Sequence, residues 1–390
     1  MVQLGNQVMD DLGNFPYLAT YGTNSSYNYL INGSKPVIVK APGLVAPDFT
    51  WETVTQMDFG FDASFLNNRL TGTFDWYRRN TKDMLVAGAT LPATLGASVP
   101  KSNSADMKTI GWELSLGWND RLENGFSYWV KGVLSDYQAT ITKYAGNDAG
   151  FYSQSDDDGK YYVGQKIGEI WGYHSNGLFQ SDDEAATIDQ SELYAGKWGA
   201  GDVKYEDLDN DGKITKGEET IYNPGDKSII GNKTPRYQFG ITVGFDYKNF
   251  DFEMFWQGTG KRDYMLSGAQ FWGFTSQWDV PYTPALDYWT ETNTDAYFPR
   301  PGWQNGGNRV TSDRYLQSAA YGRLKNLTVG YTIPKNLTTK WGISRLRLYV
   351  TGENLLTITP LNDAFDPETL GGIDIPELIE KVAIGLNLTL

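Results

Sequence analysis

Residues Arg236 to Gly258 read RYQFGITVGFDYKNFDFEMFWQG, and the fold follows from taking them two at a time. Tyr237, Phe239, Ile241, Val243, Phe245 and Tyr247 fall on one side. Gln238, Gly240, Thr242, Gly244 and Asp246 fall on the other. Successive side chains of a β-strand point to opposite faces, so this is a strand with one apolar and one hydrated face. Lys248-Asn249 turns the chain. Phe250, Phe252, Met254 and Trp256 then alternate with Asp251, Glu253 and Gln257 on the way back.

The rest of the chain repeats this hairpin. Gln56 to Leu66 carries Met57, Phe59, Phe61 and Phe65 against Asp58, Asp62 and Ser64. After Asn67-Asn68-Arg69, Leu70, Phe74 and Trp76 alternate with Thr71, Thr73 and Asp75. Ile110 to Trp118 and Phe126 to Leu134 form the next pair, with a loop expected over 83–107. Strands are expected again at Leu327 to Ile333, Leu346 to Val350 and Val382 to Leu390. Residues 1–50 read mostly as loop. Long excursions run over about 143–235, 261–318 and 357–378, so short and long connections alternate. About nine strands are legible this way.

Composition narrows the function classes. The formal net charge of -14 and the lack of a basic run argue against nucleic acid as a partner. With no Cys there is no disulfide framework and no thiolate chemistry. The single histidine, His174, excludes any site needing two. No stretch has the roughly 20 consecutive apolar residues of a membrane helix, which leaves barrel strands untouched. Met1 to Asn14 has no signal-peptide pattern.

Two architectures accommodate long alternating strands. A soluble β-sandwich buries its apolar faces against each other, but its strands usually run to about 5–6 residues. A transmembrane β-barrel turns its apolar face to lipid, uses strands of about 9–11 residues, and keeps its long loops on one side. Aromatics near strand ends, at Trp76, Trp118, Tyr247 and Tyr331, fit an interfacial girdle. The fold class expected is therefore all-β: an antiparallel meander forming the C-terminal part of a transmembrane barrel. Bacterial single-chain barrels have even numbers of strands, and a half-barrel leaves two bare edges that lipid does not tolerate, so this chain is expected to be the C-terminal part of a larger barrel.

Several segments carry a family resemblance. They include LGNQ at Leu4 to Gln7, WETVTQMDFGFDASFLNNRLTGTFDWYRRNTKDML at Trp51 to Leu85, and GWELSLGW at Gly111 to Trp118. GQKIGEIWGYHSNGLFQS at Gly164 to Ser181, GDVKYEDLDNDGKIT at Gly201 to Thr215, and the run from Ile229 to Asp263 extend it. RLRLYVTGENLLTIT and IGLNLTL complete it. Together they resemble the C-terminal half of a SusC/RagA-type TonB-dependent outer-membrane transporter of Bacteroidetes. The resemblance implies a wide barrel with an N-terminal plug, the TonB system, a SusD-like surface lipoprotein as lid, and import of oligosaccharide or peptide fragments. The plug, the TonB-contacting segment and the first half of the barrel have no counterpart in these residues, and Leu390 stands where the family usually ends on an aromatic.

Two candidate sites stand out. Asp207 to Glu218, DLDNDGKITKGE, matches the calcium-loop pattern D-x-D-x-D-G-x5-E. Calcium takes oxygen ligands, so Asp207, Asp209 and Asp211, the carbonyl of Lys213, Thr215 and Glu218 form the expected set around Ca2+. Pro224-Gly225 and the Gly-rich 196–201 exclude flanking helices, which makes it a loop staple rather than a switch; the alternative is an acidic turn without an ion. The second candidate is the set of loop aromatics Trp171, Tyr173, Trp272, Trp278, Trp289 and Trp303, whose flat faces suit sugar rings or peptide side chains. Packing of the loops themselves accounts for most such residues. Asp251 with Glu253 raises a glycosidase pair, but both belong to the hydrated face of a strand. Besides the transporter, a secreted calcium-stabilised sandwich binding carbohydrate stays open as a reading, as does, more weakly, a hydrolase.

Overall fold

The computed structural model describes residues 2–7, 17–24, 33–34, 37–40, 42–46, 49–87, 99–145, 161–370 and 379–390, with 92, 94 and 96. Ten strands form one sheet in strict chain order. They are β1 (Val2–Gln7), β2 (Glu52–Phe65), β3 (Leu70–Ala87), β4 (Lys101–Arg121) and β5 (Ser127–Tyr144), then β6 (Arg236–Tyr247), β7 (Phe250–Lys261), β8 (Tyr321–Thr332), β9 (Arg345–Ile358) and β10 (Lys381–Thr389). Every neighbouring pair is antiparallel. The sheet does not close on itself among the described residues, because β1 and β10 are its two edges.

Two expectations are corrected. The sheet has ten strands rather than nine, since Val2–Gln7 pairs with Glu52 to Met57. Its apolar alternation is too short to stand out, and pairing with a neighbour supplies what local pattern does not. The expected loop over 83–107 is strand at both of its ends: β3 runs to Ala87 and β4 begins at Lys101. A bulge at Asp83, with φ of 57°, breaks the alternation there. Asp106 Oδ1 accepts the Asp83 N–H at 3.0 Å, and Asn103 Nδ2 donates to the Asp83 carbonyl at 2.6 Å, so side chains carry the pairing across the irregularity.

Register fixes which face is which. Phe59 lies beside Trp76, which lies beside Trp112. Ile241 lies beside Trp256, Val329 beside Val350, and Leu348 beside Leu386. This face is exposed: Phe59 is 61% accessible and Ile384 83%. A sandwich would bury these side chains, so the sandwich reading fails on this face. At the short-turn end an aromatic row crosses the wall, with Phe126 stacked on Phe245 at 5.4 Å, Phe245 on Phe252 at 5.0 Å, and Phe250 against Tyr331 at 4.7 Å. Trp118, Tyr247 and Tyr331 belong to that level. Trp76 does not lie at a strand end. It lies inside β3, because β3 and β4 continue well past the apolar band: their outward residues turn polar at Arg78 and at Lys108.

The opposite face uses glycine as floor space. A Cβ on Gly111 would meet the Tyr77 ring at 2.5 Å, and one on Gly330 would meet Asp251 Oδ2 at 2.4 Å. Arg347 reaches across that same gap, from β9 over β8, to hold Asp251 on β7 in a bidentate pair.

Candidate functional site

The short connections are 66–69, 122–126 and 248–249, with a longer one at 333–344 that carries the helical turns Lys335–Thr338 and Thr339–Trp341. The long connections 145–235, 262–320 and 359–380 all leave the opposite end. They do not hang separately. Their described parts share one hydrophobic core in which Tyr173, Val203, Tyr205 and Ile214 from the first meet Leu266, Phe271, Trp272, Phe298 and Tyr315 from the second, and Leu361 and Phe365 from the third. Burying aromatic side chains this way supplies the apolar area that irregular segments need to hold one conformation.

Polar links set the register of that platform. Small two-stranded sheets pair Glu169–Tyr173 with Lys227–Asn232, Ser175–Leu178 with Val203–Tyr205, and Asp263–Met265 with Leu316–Ser318. His174 bridges three segments: Nδ1 meets Asp313 Oδ2 at 2.7 Å and Nε2 meets Ser228 Oγ at 2.7 Å. Asp313 Oδ1 also accepts the Ser175 N–H at 3.0 Å. The Ser–His–Asp order is that of a nucleophile relay, yet Ser228 lies in a paired strand facing Gly172. The three side chains act here as a cross-loop staple. The third loop is held from the wall: Arg323 of β8, itself buried, donates to Asp366 Oδ2 and to Glu368 Oε2 at 2.6 Å each, and to Thr357 Oγ1 at 2.8 Å.

Of the six aromatics expected to meet ligand, Trp171, Tyr173 and Trp272 are buried and Trp289 packs against the shared core. For these four, packing is the role the structure displays, because loops of this length need their largest apolar side chains inside. Trp278 and Trp303 are presented to solvent, at 83% and 46% accessibility, beside exposed Val280 and Tyr282. Asp279 orders this tip. Its carboxylate accepts the Thr275 hydroxyl and the N–H groups of Thr275 and Ser276, and these bonds, led by the Thr275 hydroxyl, pull its pKa down to about 2.

The acidic loop folds as a tight knot. Asp207 accepts the N–H groups of Asn210, Asp211 and Gly212, and Asp211 accepts that of Lys213. Asn210 and Gly212 take φ of 61° and 86°, which glycine adopts at no steric cost. Asp207 and Asp209 converge with a third carboxylate from outside the twelve-residue pattern, the buried Asp226, with one oxygen from each inside 4.8 Å of the others. Asp211 and Glu218 lie outside this cluster. Asp226 also accepts the N–H groups of Leu208 and Thr215, at 2.7 Å each. Partial desolvation and then the neighbouring Asp211 charge raise the Asp209 pKa. Backbone donors outweigh desolvation at Asp207 and lower its own. A divalent cation suits such a group, since it relieves carboxylate repulsion with hard oxygen ligands.

On the inward face of β2 to β4, Gln56, Asp58, Asp75, Tyr77, Arg79 and Glu113 line an open groove of about 460 Å³.

Alternating strands with an exposed apolar band, a hydrated inner face and long loops at one end define an outer-membrane β-barrel protein. More particularly, the chain belongs to the TonB dependent receptor-like beta-barrel family, whose pattern matches residues 11–355. Its place is the outer membrane, and the hydrolase reading falls with the family, whose members are receptors and transporters. Among its relatives, TonB-dependent receptor P3 of Formosa agariphila is 30% identical over 90% of this chain and 34% of its own length. TonB-dependent receptor SusC of Bacteroides thetaiotaomicron is 25% identical over 99% of this chain and 36% of its own length. The chain thus spans about a third of the length of these relatives. The RagAB peptide transporter superposes with a TM-score of 0.72 over 99% of this chain and 40% of that one, at 22% identity, which is a likeness of fold.

Proposed function

We propose that the chain forms part of the wall, and the substrate-facing loop platform, of a TonB-dependent importer of glycan or peptide oligomers. In this reading it works with a plug domain that contacts TonB and with a SusD-like surface lipoprotein as lid. The observation that carries it is the platform: three long loops from one end of the wall pack into one body and leave Trp278 and Trp303 exposed beside a hydrated inner face. The relatives named TonB-dependent receptors support the import reading, and the structural neighbour titled a peptide transporter supports the peptide class.

The test is uptake of labelled oligosaccharides and oligopeptides by cells carrying the intact importer. One class should accumulate, and collapse of the proton-motive force should stop it. Equal passive entry of both would leave a pore rather than an importer. Pull-down of a SusD-like lipoprotein, reduced when Trp278 and Tyr282 are replaced by Ala, tests the lid.

The reading includes a calcium ion held by Asp207, Asp209 and Asp226. It is supported by the convergence of their carboxylates and by the loop pattern, and it would staple the platform rather than switch it.

A further inference from the structure

Above the Trp76–Trp112 pair, the outward face of β3 and β4 changes from apolar to basic. Arg78, Asn80 and Lys82 follow Trp76 at every second position of β3, and Lys108 follows Ile110 on β4. Register sets Arg78 beside Ile110 and Asn80 beside Lys108, so Lys108 is the diagonal neighbour of both Arg78 and Lys82. Diagonal neighbours in an antiparallel pair are about 7–8 Å apart. Arg78 and Lys82, four residues apart on β3, stand about 13 Å apart, with Lys108 between them on β4 to complete a triangle, so three long cationic side chains can converge on one anion from a single face.

One carboxylate shares that face beside the triangle, Asp106, two positions from Lys108 on β4, and it keeps its charge. The flanking outward residues are Thr53 and Thr55 on β2 and Gln138 and Thr140 on β5. Asp136, on the same face, is already held by Arg236 in a bidentate pair. Asp106 accepts the Asp83 backbone N–H. Arg78 donates only to the neutral Asn80 Oδ1, at 3.2 Å, and among the described residues no carboxylate pairs with Arg78, Lys82 or Lys108. In a chain whose formal net charge is -14, an unpaired trio of cations is a local reversal of sign.

Its depth says what it faces. Long loops of outer-membrane barrels lie outside the cell, and the aromatic girdle marks the lipid headgroup level. The triangle sits on the lipid-facing side, Arg78 one, Lys108 two and Lys82 three alternate positions towards the loops from the Trp76–Trp112 level. We propose that Arg78, Lys82 and Lys108 bind the phosphate of a phosphorylated lipid of the outer leaflet, with Arg78 able to grip two oxygens and the lysines acting as point charges. This rests on the membrane-wall assignment and not on what the barrel imports, so a failed uptake assay leaves it standing.

The experiment is native mass spectrometry of the detergent-purified barrel protein, with diphosphoryl lipid A, its dephosphorylated form and inorganic phosphate as probes. Diphosphoryl lipid A should remain bound where the dephosphorylated form does not, and R78Q/K82Q/K108Q should lower the bound fraction about tenfold. Lys131 points to the inner face opposite Gly117, so K131Q should change nothing. The single variant K108Q, checked for heat-modifiable migration, covers the case in which the triple variant fails to fold, and should lower binding several-fold. Equal retention by K108Q and the unaltered protein overturns the site. Full displacement by inorganic phosphate overturns the lipid as its occupant.

Discussion

Asp202 and Arg300 tie the two largest loops together: Arg300 Nε donates to Asp202 Oδ1 at 2.9 Å and Nη2 to Oδ2 at 2.6 Å, across a sequence separation of 98. Asp202 is fully buried, and it also accepts Asn308 Nδ2 at 2.8 Å and the Gly199 N–H at 2.9 Å. One carboxylate thus satisfies four donors from both loops. Replacing it by Ala strands those donors, at a cost of roughly 2–3 kcal/mol once the partial exposure of Arg300 is allowed for. D202A should make the loops trypsin-sensitive while the strands stay protected. Unchanged digestion would mean that the aromatic core alone fixes the platform.

Gly330 is the gap through which Arg347 reaches Asp251. A Val there occupies the space of both charged groups, pushing the guanidinium off its partner and overpacking the inner wall. The expected loss is about 1–3 kcal/mol. Heat-modifiability on gels should show G330V unfolding at lower temperature, and D251A/R347A/G330V should recover part of the loss by vacating the space. If G330V alone melts like the unaltered protein, the gap is not needed.

The wall was legible in the sequence because lipid and water impose a period of two on every strand, visible from Phe59 through Phe245 to Ile384. Where that period fails, legibility failed: the bulge at Asp83 hid the far end of β3, and Val2–Gln7 owes its strand to its partner. Loop packing was illegible for another reason. Tyr173 and Trp272 look like Trp278 in sequence, and only the meeting of three distant loops buries the first two and leaves the third exposed. The acidic loop was legible as a pattern, but Asp226 lies beyond any local motif and enters through the hydrogen bonds that fold the chain back.

Asp279 governs the exposed tip that carries Trp278. Its pKa in the folded chain is about 2, against an ordinary 3.8, chiefly because the Thr275 hydroxyl bonds its ionised form. A depressed carboxyl pKa contributes stability above the unfolded value and loses it as pH falls through the folded one. The tip should therefore hold its structure at pH 5 and loosen between about pH 4 and 2. NMR titration of the Asp279 carboxyl gives the midpoint directly, and D279A should show the loosened Trp278 environment already at neutral pH. A midpoint at the ordinary value would remove the Thr275 and Ser276 bonds as the ordering element.

The acidic loop separates two ligand sets for calcium. The sequence pattern relies on Glu218 as the bidentate ligand, whereas the fold brings Asp226 to Asp207 and Asp209. If the folded cluster holds the ion, D226N should weaken calcium binding about tenfold or more and E218Q should change it little. The pH dependence has a defined sign. Asp209, with its raised pKa, takes up a proton before an ordinary carboxyl does, so calcium affinity should begin to fall at higher pH than for isolated carboxylates. Isothermal calorimetry across a pH series measures both effects. Asp226 accepts the Leu208 N–H with Oδ1 and the Thr215 N–H with Oδ2, so an Asn keeps one of these bonds and sets its NH2 against the other N–H, at a cost of about 1–3 kcal/mol. Thermal unfolding of D226N without calcium separates that loss from the lost ligand. The reverse result, with E218Q damaging and D226N harmless, would assign the ion to the twelve-residue loop alone. Absence of heat for both variants and the unaltered protein would leave Asp207 as the hydrogen-bonded cap of an acidic turn.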